Sequence, residues 1–198
     1  LRHRTLGLPG EEMLVGQGIS YCAVCDGPFY AGKPVAVVGG GDTALQDALF
    51  LSGLCSHVTL IHRRETFRGT RALAEQVQAR TNIACWMDST VEELLTQEGY
   101  LTGVTVQGRI TGEVRHLEVD GLFLAVGQEP QNQAFSTLLD VDENGYLWAG
   151  EDCRTSLPGV FAAGDCRTKA IRQLATAIGD GAVAGLAACA WVENLSGQ

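Results

Sequence analysis

An α/β fold built on a parallel sheet is what this sequence predicts, and three observations predict it. An apolar strand, Val35–Val38, runs directly into Gly39-Gly40-Gly41-Asp42-Thr43-Ala44, a G-x-G-x-x-A turn of the kind that receives a dinucleotide pyrophosphate. A helix over about 42–52 and a second apolar strand, His57–His62, follow at the spacing of one βαβ unit. Glycine is abundant, 25 of 198 residues, as a fold with many tight strand-to-helix turns requires. The expected architecture is a Rossmann-like three-layer dinucleotide-binding domain carrying a small antiparallel β-meander.

Each element has its own signal. The first thirty residues read as irregular, broken by Gly7, Pro9, Gly10, Gly16, Gly18, Gly27 and Pro28. The first long helix presents Ala44, Leu45, Ala48, Leu49 and Leu51 on one face. A second helix is expected over about 69–79 and a short strand over 83–86. From 90 to 120 the pattern alternates between turn signals, Glu98-Gly99 and Thr111-Gly112, which predicts the meander. Leu122–Val126 reads as a buried parallel strand that stops at Gly127, and Pro130 marks a boundary between a 1–127 domain and a 128–198 segment. Beyond it the sequence predicts a weak hairpin around Glu143-Asn144-Gly145-Tyr146, a strand at Val160–Asp165, and an Ala-rich helix from about 174 to 193.

Composition excludes several classes. A formal charge of −9 and the lack of any long basic run argue against nucleic acid. The longest apolar run, Ala182 to Val192, is eleven residues and reads as too short for a bilayer. Leu1-Arg2-His3-Arg4 is not followed by the apolar region of a signal peptide. Seven cysteines, an odd number, do not form a secreted disulfide framework and point to the cytoplasm. Cys55, Cys85, Cys153, Cys166 and Cys189 stand singly among apolar or small neighbours and are expected to be buried small hydrophobes. No second close pair exists to complete a zinc site, so Cys22-Ala23-Val24-Cys25 is read as redox-active.

The candidate chemistry lies in three places. In the glycine turn, Gly39 permits the sharp bend, Gly41 admits the pyrophosphate, Ala44 keeps helix and strand close, and the helix amides face the anion. At the tip of the second strand an NAD site carries a carboxylate for the ribose. This chain instead has His62-Arg63-Arg64 with Arg68, and guanidinium groups match a 2′-phosphate, which favours NADPH over a merely solvated basic corner. Cys22 and Cys25 are expected to form a reversible disulfide while the other five cysteines stay free. Asp26 either protonates the departing thiolate or serves as the turn residue of Asp-Gly-Pro.

Cys22-Ala23-Val24-Cys25-Asp26-Gly27, the glycine turn, His62-Arg63-Arg64 with Arg68, and Gly164-Asp165 followed by Arg172-Gln173 together resemble the bacterial, low-molecular-weight thioredoxin reductases. The resemblance spans essentially the whole chain. It implies NADPH-dependent reduction of FAD, then of the C-x-x-C disulfide, then of thioredoxin or a thioredoxin-like protein, in an enzyme that is a homodimer at full length. It implies that Cys25 lies nearest the flavin, that Cys22 attacks the partner disulfide, and that Asp26 is the acid–base group. Gly127, Gly164, Asp165, Arg172 and Gln173 join the glycine turn and arginines as cofactor-binding residues, Asp165 toward the FAD ribityl or phosphate and Arg172-Gln173 toward the isoalloxazine. The family opens with a separate FAD-binding βαβ that has its own glycine turn. This chain has one such turn and starts at Leu1, so it resembles the NADPH domain plus a partial second, FAD-type domain, as in a truncated form. Such a chain is expected to bind NADPH but neither to hold stoichiometric FAD nor to reduce thioredoxin alone. Two alternatives stand beside this reading. One is a non-catalytic NADPH-binding module. The other is the flavoprotein reductase of a peroxiredoxin system, whose usual nicotinamide, NADH, the arginines disfavour.

Overall fold

The structure, a computed structural model, describes residues 1–196 and divides into two compact units, one of Arg4–Gly127 and one of Leu1–His3 with the chain from Gln128 onward. In chain order the elements are β1 (Arg2–His3), β2 (Ile19–Ser20), α1 (Ala23–Asp26), β3 (Pro34–Gly39), α2 (Asp42–Ser52), β4 (His57–Ile61), α3 (Arg71–Gln78), β5 (Ile83–Trp86), β6 (Ser89–Gln97), β7 (Tyr100–Gly108), β8 (Val114–Glu118), β9 (Gly121–Ala125), β10 (Gln128–Glu129) and α4 (Leu174–Ser196). Short 3-10 turns lie at Glu11–Leu14, Gly27–Tyr30 and Gln133–Phe135.

The Arg4–Gly127 unit is a three-layer α/β fold. Its five-stranded parallel sheet runs in the order β2-β9-β3-β4-β5. Central strand β3 is covered on both faces, which is why it reads as a continuous apolar run rather than an alternating one. Side chains still alternate along it. Val35 and Val37 join Val58, Leu60 and Phe123 against α2 and α3, packed on Leu45, Ala48, Leu51 and Val77. Ala36, with Ile61, Leu122 and Leu124, faces Val91, Leu101, Val104 and Val106 of the meander β6-β7-β8. Fully buried side chains such as Leu45 and Phe123 each contribute about 1.5–3 kcal/mol by leaving water.

Strand β2 was not expected from the sequence. Two residues carry no periodicity, and Ile19 and Ser20 become a strand only because Leu122 and Phe123 of β9 offer a free edge. This pairing brings the chain to the sheet immediately before Cys22.

In the second unit β1 pairs antiparallel with β10, so Leu1–His3 belong with the C-terminal chain. Several expectations are corrected here. The hairpin at Glu143–Tyr146 is a turn, closed by Gly145 N–H to Asp142 O at 3.0 Å, with one isolated bridge, Val141 to Leu147. Val160–Asp165 is not a strand. Phe161 makes a single bridge to Arg154, because no neighbouring strand in this unit offers a ladder. Cys189 is exposed and Cys85 and Cys166 are half-buried, so only Cys55 and Cys153 are the buried hydrophobes expected. The apolar run at 182–192 is part of a longer helix. Leu174–Leu195 has a mean hydropathy of 1.4 and is long and apolar enough to cross a membrane by length and composition, so the length argument fails. Asp180 lies inside that span and is ion-paired within its own unit to Arg167 and Lys169, which ties the helix to the folded chain.

Candidate functional site

Cys22 and Cys25 form a disulfide, and Cys55, Cys85, Cys153, Cys166 and Cys189 are free. The pair brackets the single turn α1, with Cys22 at its N-cap and the Asp26 amide bonded to the Cys22 carbonyl at 3.0 Å. Cys25 is exposed, and apolar Val24 and Phe29 stand out into solvent beside it. The Asp26 carboxylate does not cap the following 3-10 turn. It accepts the Ser20 hydroxyl proton at 2.6 Å, while Ser20 Oγ itself accepts the Cys22 amide at 3.0 Å. Ser20, only 3% exposed, therefore fixes both the first cysteine and the acid. Nothing in the sequence marked it, since its placement depends on the unforeseen β2.

At the other end of α2 lies the glycine turn. Gly27 packs on Phe50, Leu51 and Leu54 at the helix C-terminus, so the disulfide and the turn are roughly 15 Å apart along the helix. Gly39 has φ +154°, and a Cβ there would lie 2.5 Å from the Ala125 carbonyl oxygen and 2.7 Å from Ala44 Cβ. A side chain at Gly40 would collide with the His62 ring. Gly41 has open space above its Cα, where an anion can approach. The first helical bond is Leu45 N–H to Gly41 O at 3.2 Å, so the amides of Asp42, Thr43 and Ala44 have no acceptor among the described residues. Gly127 follows β9, whose Ala125 pairs with Gly39, and its carbonyl accepts the Arg4 amide at 3.0 Å.

The segment after β4 is fastened to this turn. Arg68 and Gly69 amides donate to the Gly40 carbonyl at 2.7 and 3.0 Å, and Asp42 Oδ1 accepts the Thr70 amide at 2.6 Å. Arg63, Arg64 and Arg68 are exposed, with no carboxylate partner among the described residues. His62 does not project with them. It is buried beneath Gly40, stacks on Phe67, and its Nε2 lies 3.1 Å from the Thr66 carbonyl. Burial lowers its pKa, and the neighbouring arginine charges lower it further against the Thr66 hydrogen bond. His62, its charged form disfavoured by burial, thus lies under the turn and leaves the cationic role to the arginines.

In the second unit Gly164, at φ +83°, donates its amide to Asp180 Oδ2 at 2.9 Å. Asp180 also takes both Arg167 Nε and Nη2 at 2.8 Å and Lys169 Nζ at 2.8 Å. These donors hold its carboxyl far below the ordinary carboxylate range. Arg172 lies over the Tyr146 ring at 3.8 Å and donates to the Asp165 carbonyl at 3.3 Å. Gln173 precedes α4, with its amide bonded to Thr176 Oγ1 at 3.1 Å. Asp165 Oδ1 is buried without a partner among the described residues. A buried carboxylate oxygen in that state calls for a donor such as a ligand hydroxyl. The Arg167–Lys169–Asp180 cluster escaped the sequence reading, because Asp180 looks like one polar residue in an alanine-rich helix.

The profile of the pyridine nucleotide-disulphide oxidoreductases matches residues 1–181. The chain belongs to this family. The thioredoxin reductase of Listeria innocua serovar 6a is 42% identical over 193 residues, covering 98% of this chain and 60% of that protein. The thioredoxin reductase of Coxiella burnetii is 43% identical over 201 residues, covering 98% and 63%. Among solved structures, thioredoxin reductase from Streptococcus pyogenes MGAS5005 superposes with a TM-score of 0.92 at 37% identity, covering 98% of this chain and 63% of that one. That from Giardia duodenalis gives 0.87 at 36% identity, covering 96% and 62%. The chain spans about 60% of the length of the curated relatives it matches. In this chain the Arg4–Gly127 unit alone brings together the disulfide, Asp26, the glycine turn and the arginines.

Proposed function

We propose that this chain is the NADPH- and disulfide-bearing part of a thioredoxin-reductase-type enzyme, which uses NADPH and FAD to reduce thioredoxin or a thioredoxin-like protein. The observation that carries the reading is the Cys22–Cys25 disulfide, bonded in the same compact unit as a glycine turn and three exposed arginines. Overall, NADPH and one proton convert a protein disulfide to two thiols and leave NADP⁺.

The residues divide the work. The amides of Asp42, Thr43 and Ala44 receive the pyrophosphate, and Gly39, Gly40, Gly41 and Gly127 keep backbone out of its way. Arg63, Arg64 and Arg68 bind the 2′-phosphate, with His62 as the wall behind them. Bound FAD supplies the two-electron relay between nicotinamide and disulfide. Asp165 Oδ1 would accept a hydrogen bond from a hydroxyl of its ribityl chain, with Gly164, Arg172 and Gln173 in the same segment. Reduced Cys22, as thiolate, attacks the partner disulfide, and Cys25 resolves the mixed disulfide while Asp26 exchanges the proton. The exposed Val24 and Phe29 offer the partner an apolar landing beside the bond. We place the working enzyme in the cytoplasm as a homodimer. The apolar face of α4, with Leu174, Ile178 and Leu186 exposed, is covered there by the remainder of the FAD-type domain, consistent with the span of the relatives.

Two preparations test this. The chain alone is expected to be colourless, to bind NADPH in preference to NADH, and to be inactive toward thioredoxin, which is the behaviour of a nucleotide-binding module. Joined to the N-terminal FAD-binding segment of a relative, it is expected to turn yellow and to reduce thioredoxin with NADPH. Activity that survives Cys22→Ser with Cys25→Ser would overturn the assignment.

A further inference from the structure

Arg109 sits at the end of the β7–β8 hairpin, 46 residues from Arg63, yet its Nη1 donates to the Arg63 carbonyl at 2.7 Å. Its own amide donates to the Asp88 carbonyl at 2.6 Å, and the Asp88 amide donates in turn to the Arg64 carbonyl at 3.1 Å. Ser89 completes the seam through the His62 carbonyl at 2.9 Å. Asp88 is held at φ +48°, a left-handed conformation uncommon outside glycine and maintained here by bonds on both sides. The hairpin end is itself closed by Gly108 N–H to Glu113 O and Gly112 N–H to Gly108 O, both 2.8 Å. The arginine segment is thus clamped from two directions. One side is bound to the glycine turn through Arg68 and Gly69, the other to the meander through Asp88 and Arg109.

The clamp answers a physical difficulty. Arg63, Arg64 and Arg68 lie within six residues, are exposed, and repel one another. Left loose, that segment would have to be ordered by the nucleotide at the cost of affinity; held in advance, it is not. Arginine suits the position because one N–H of its planar fork binds the carbonyl while the others and the charge remain available. Resting on the reading that this segment binds a nucleotide 2′-phosphate, we propose that Arg109 is a positioning residue for nucleotide selection. It holds the Arg63 carbonyl so that the neighbouring guanidinium groups converge on the 2′-phosphate, and it adds a fourth positive charge beside them. The meander is then part of the selectivity device as well as the third layer of the fold.

Calorimetric titration of this chain with 2′,5′-ADP and with 5′-ADP at low salt separates the possibilities, comparing wild type, Arg109→Ala and Arg109→Lys. Wild type is expected to prefer 2′,5′-ADP. Arg109→Ala is expected to lose about tenfold of that preference, the size of one charge-assisted hydrogen bond, with 5′-ADP affinity unchanged. Arg109→Lys keeps the charge and loses the fork, and is expected to fall between the two. A preference undiminished in Arg109→Ala overturns the proposal, as does an equal loss for both ligands, which would mark a general structural role. Where the alanine variant melts early, the lysine variant decides by the same ratio: a fall supports the proposal and an unchanged ratio overturns it. Equal affinities in wild type would instead remove the 2′-phosphate reading itself, and this proposal with it.

Discussion

Arg4–Gly127 closes its own ladders on a five-stranded sheet and buries side chains on both faces, whereas the unit of Leu1–His3 with the chain from Gln128 onward has, among the described residues, one two-residue ladder, isolated bridges and a cluster of four buried hydrophobic residues. The contrast extends to polar groups. In the first unit, hydrogen bonds fasten Asp26 to Ser20 and the arginine segment to the glycine turn. In the second, the Arg167–Lys169–Asp180 cluster ties α4 to the chain before it, and Asp165 Oδ1 has no donor among the described residues. The difference teaches that the first unit closes its own sheet and apolar core, while the second leaves much of its apolar surface exposed. The long exposed face of α4 is the clearest instance.

The sharpest way to break the comparison is at Asp180. Asp180→Ala leaves Arg167 and Lys169 buried without a counter-charge, and a buried pair broken in this way costs about 3–5 kcal/mol. Hydrogen exchange is expected to show lost protection around 160–185 with β3, β4 and β9 unchanged. Equal loss in both units would show that they share one stability. Acid should act similarly. Because the folded carboxyl is held below its ordinary value, its contribution is present above about pH 4 and is lost as pH falls below that, so the second unit should open first on acidification.

Gly40→Ala probes the better-satisfied unit. A methyl group in the His62 ring's place must push apart the turn and the arginine segment, at about 1–3 kcal/mol. Nucleotide binding should fall while the Cys22–Cys25 disulfide still forms, read by titration and by thiol mapping. Retained nucleotide affinity would show the turn to be dispensable.

Asp47 is the soft point of the same unit. Burial raises its pKa to about 6, so its ionised form is disfavoured in the fold and stability falls as pH rises from about 4 through 6. Asp47→Asn is expected to stabilise by about 1–2 kcal/mol at pH 7.5 and by nothing at pH 4, checked by denaturant titration at both. A stabilisation of the same size at both values would mean that charge is not the cause.

The smallest effect belongs to Ser20→Ala, about 1 kcal/mol for the lost hydrogen bond. Its use lies in the chemistry. The pH profile of Cys22 and Cys25 alkylation in the reduced protein should move in the same direction as in Asp26→Asn. A profile identical to wild type would leave Ser20 with no part in placing the acid.

Much of this architecture was legible from sequence where the interaction partners are near in the chain. α2 and β5 begin and end where periodicity placed them, and the meander, the parallel β9 and the disulfide pairing are as read. Val160–Asp165 misled because an apolar run reports burial propensity but not the presence of a neighbouring strand. The run at 182–192 misled in the opposite way: the helix expected over 174–193 is present, but counting only its uninterrupted apolar run missed that the whole helix is apolar enough to span a bilayer, with Asp180 ion-paired to Arg167 inside it.

What the sequence by itself determined is what short-range physics encodes: the strand–turn–helix around Gly39–Ala44, the two thiols three residues apart, and the cationic tip in place of a carboxylate. What only the tertiary structure decided are the residues that hold these pieces still. Ser20 reaches Asp26 because β2 finds the β9 edge, His62 turns under Gly40 while its neighbours face out, Arg109 arrives from a hairpin 46 residues away, and Asp180 meets Arg167 across 13. Hydrogen-bond donors and acceptors have no periodicity and no local signature. Their partners are chosen by which elements the hydrophobic core brings side by side, so they become readable only once the chain has folded.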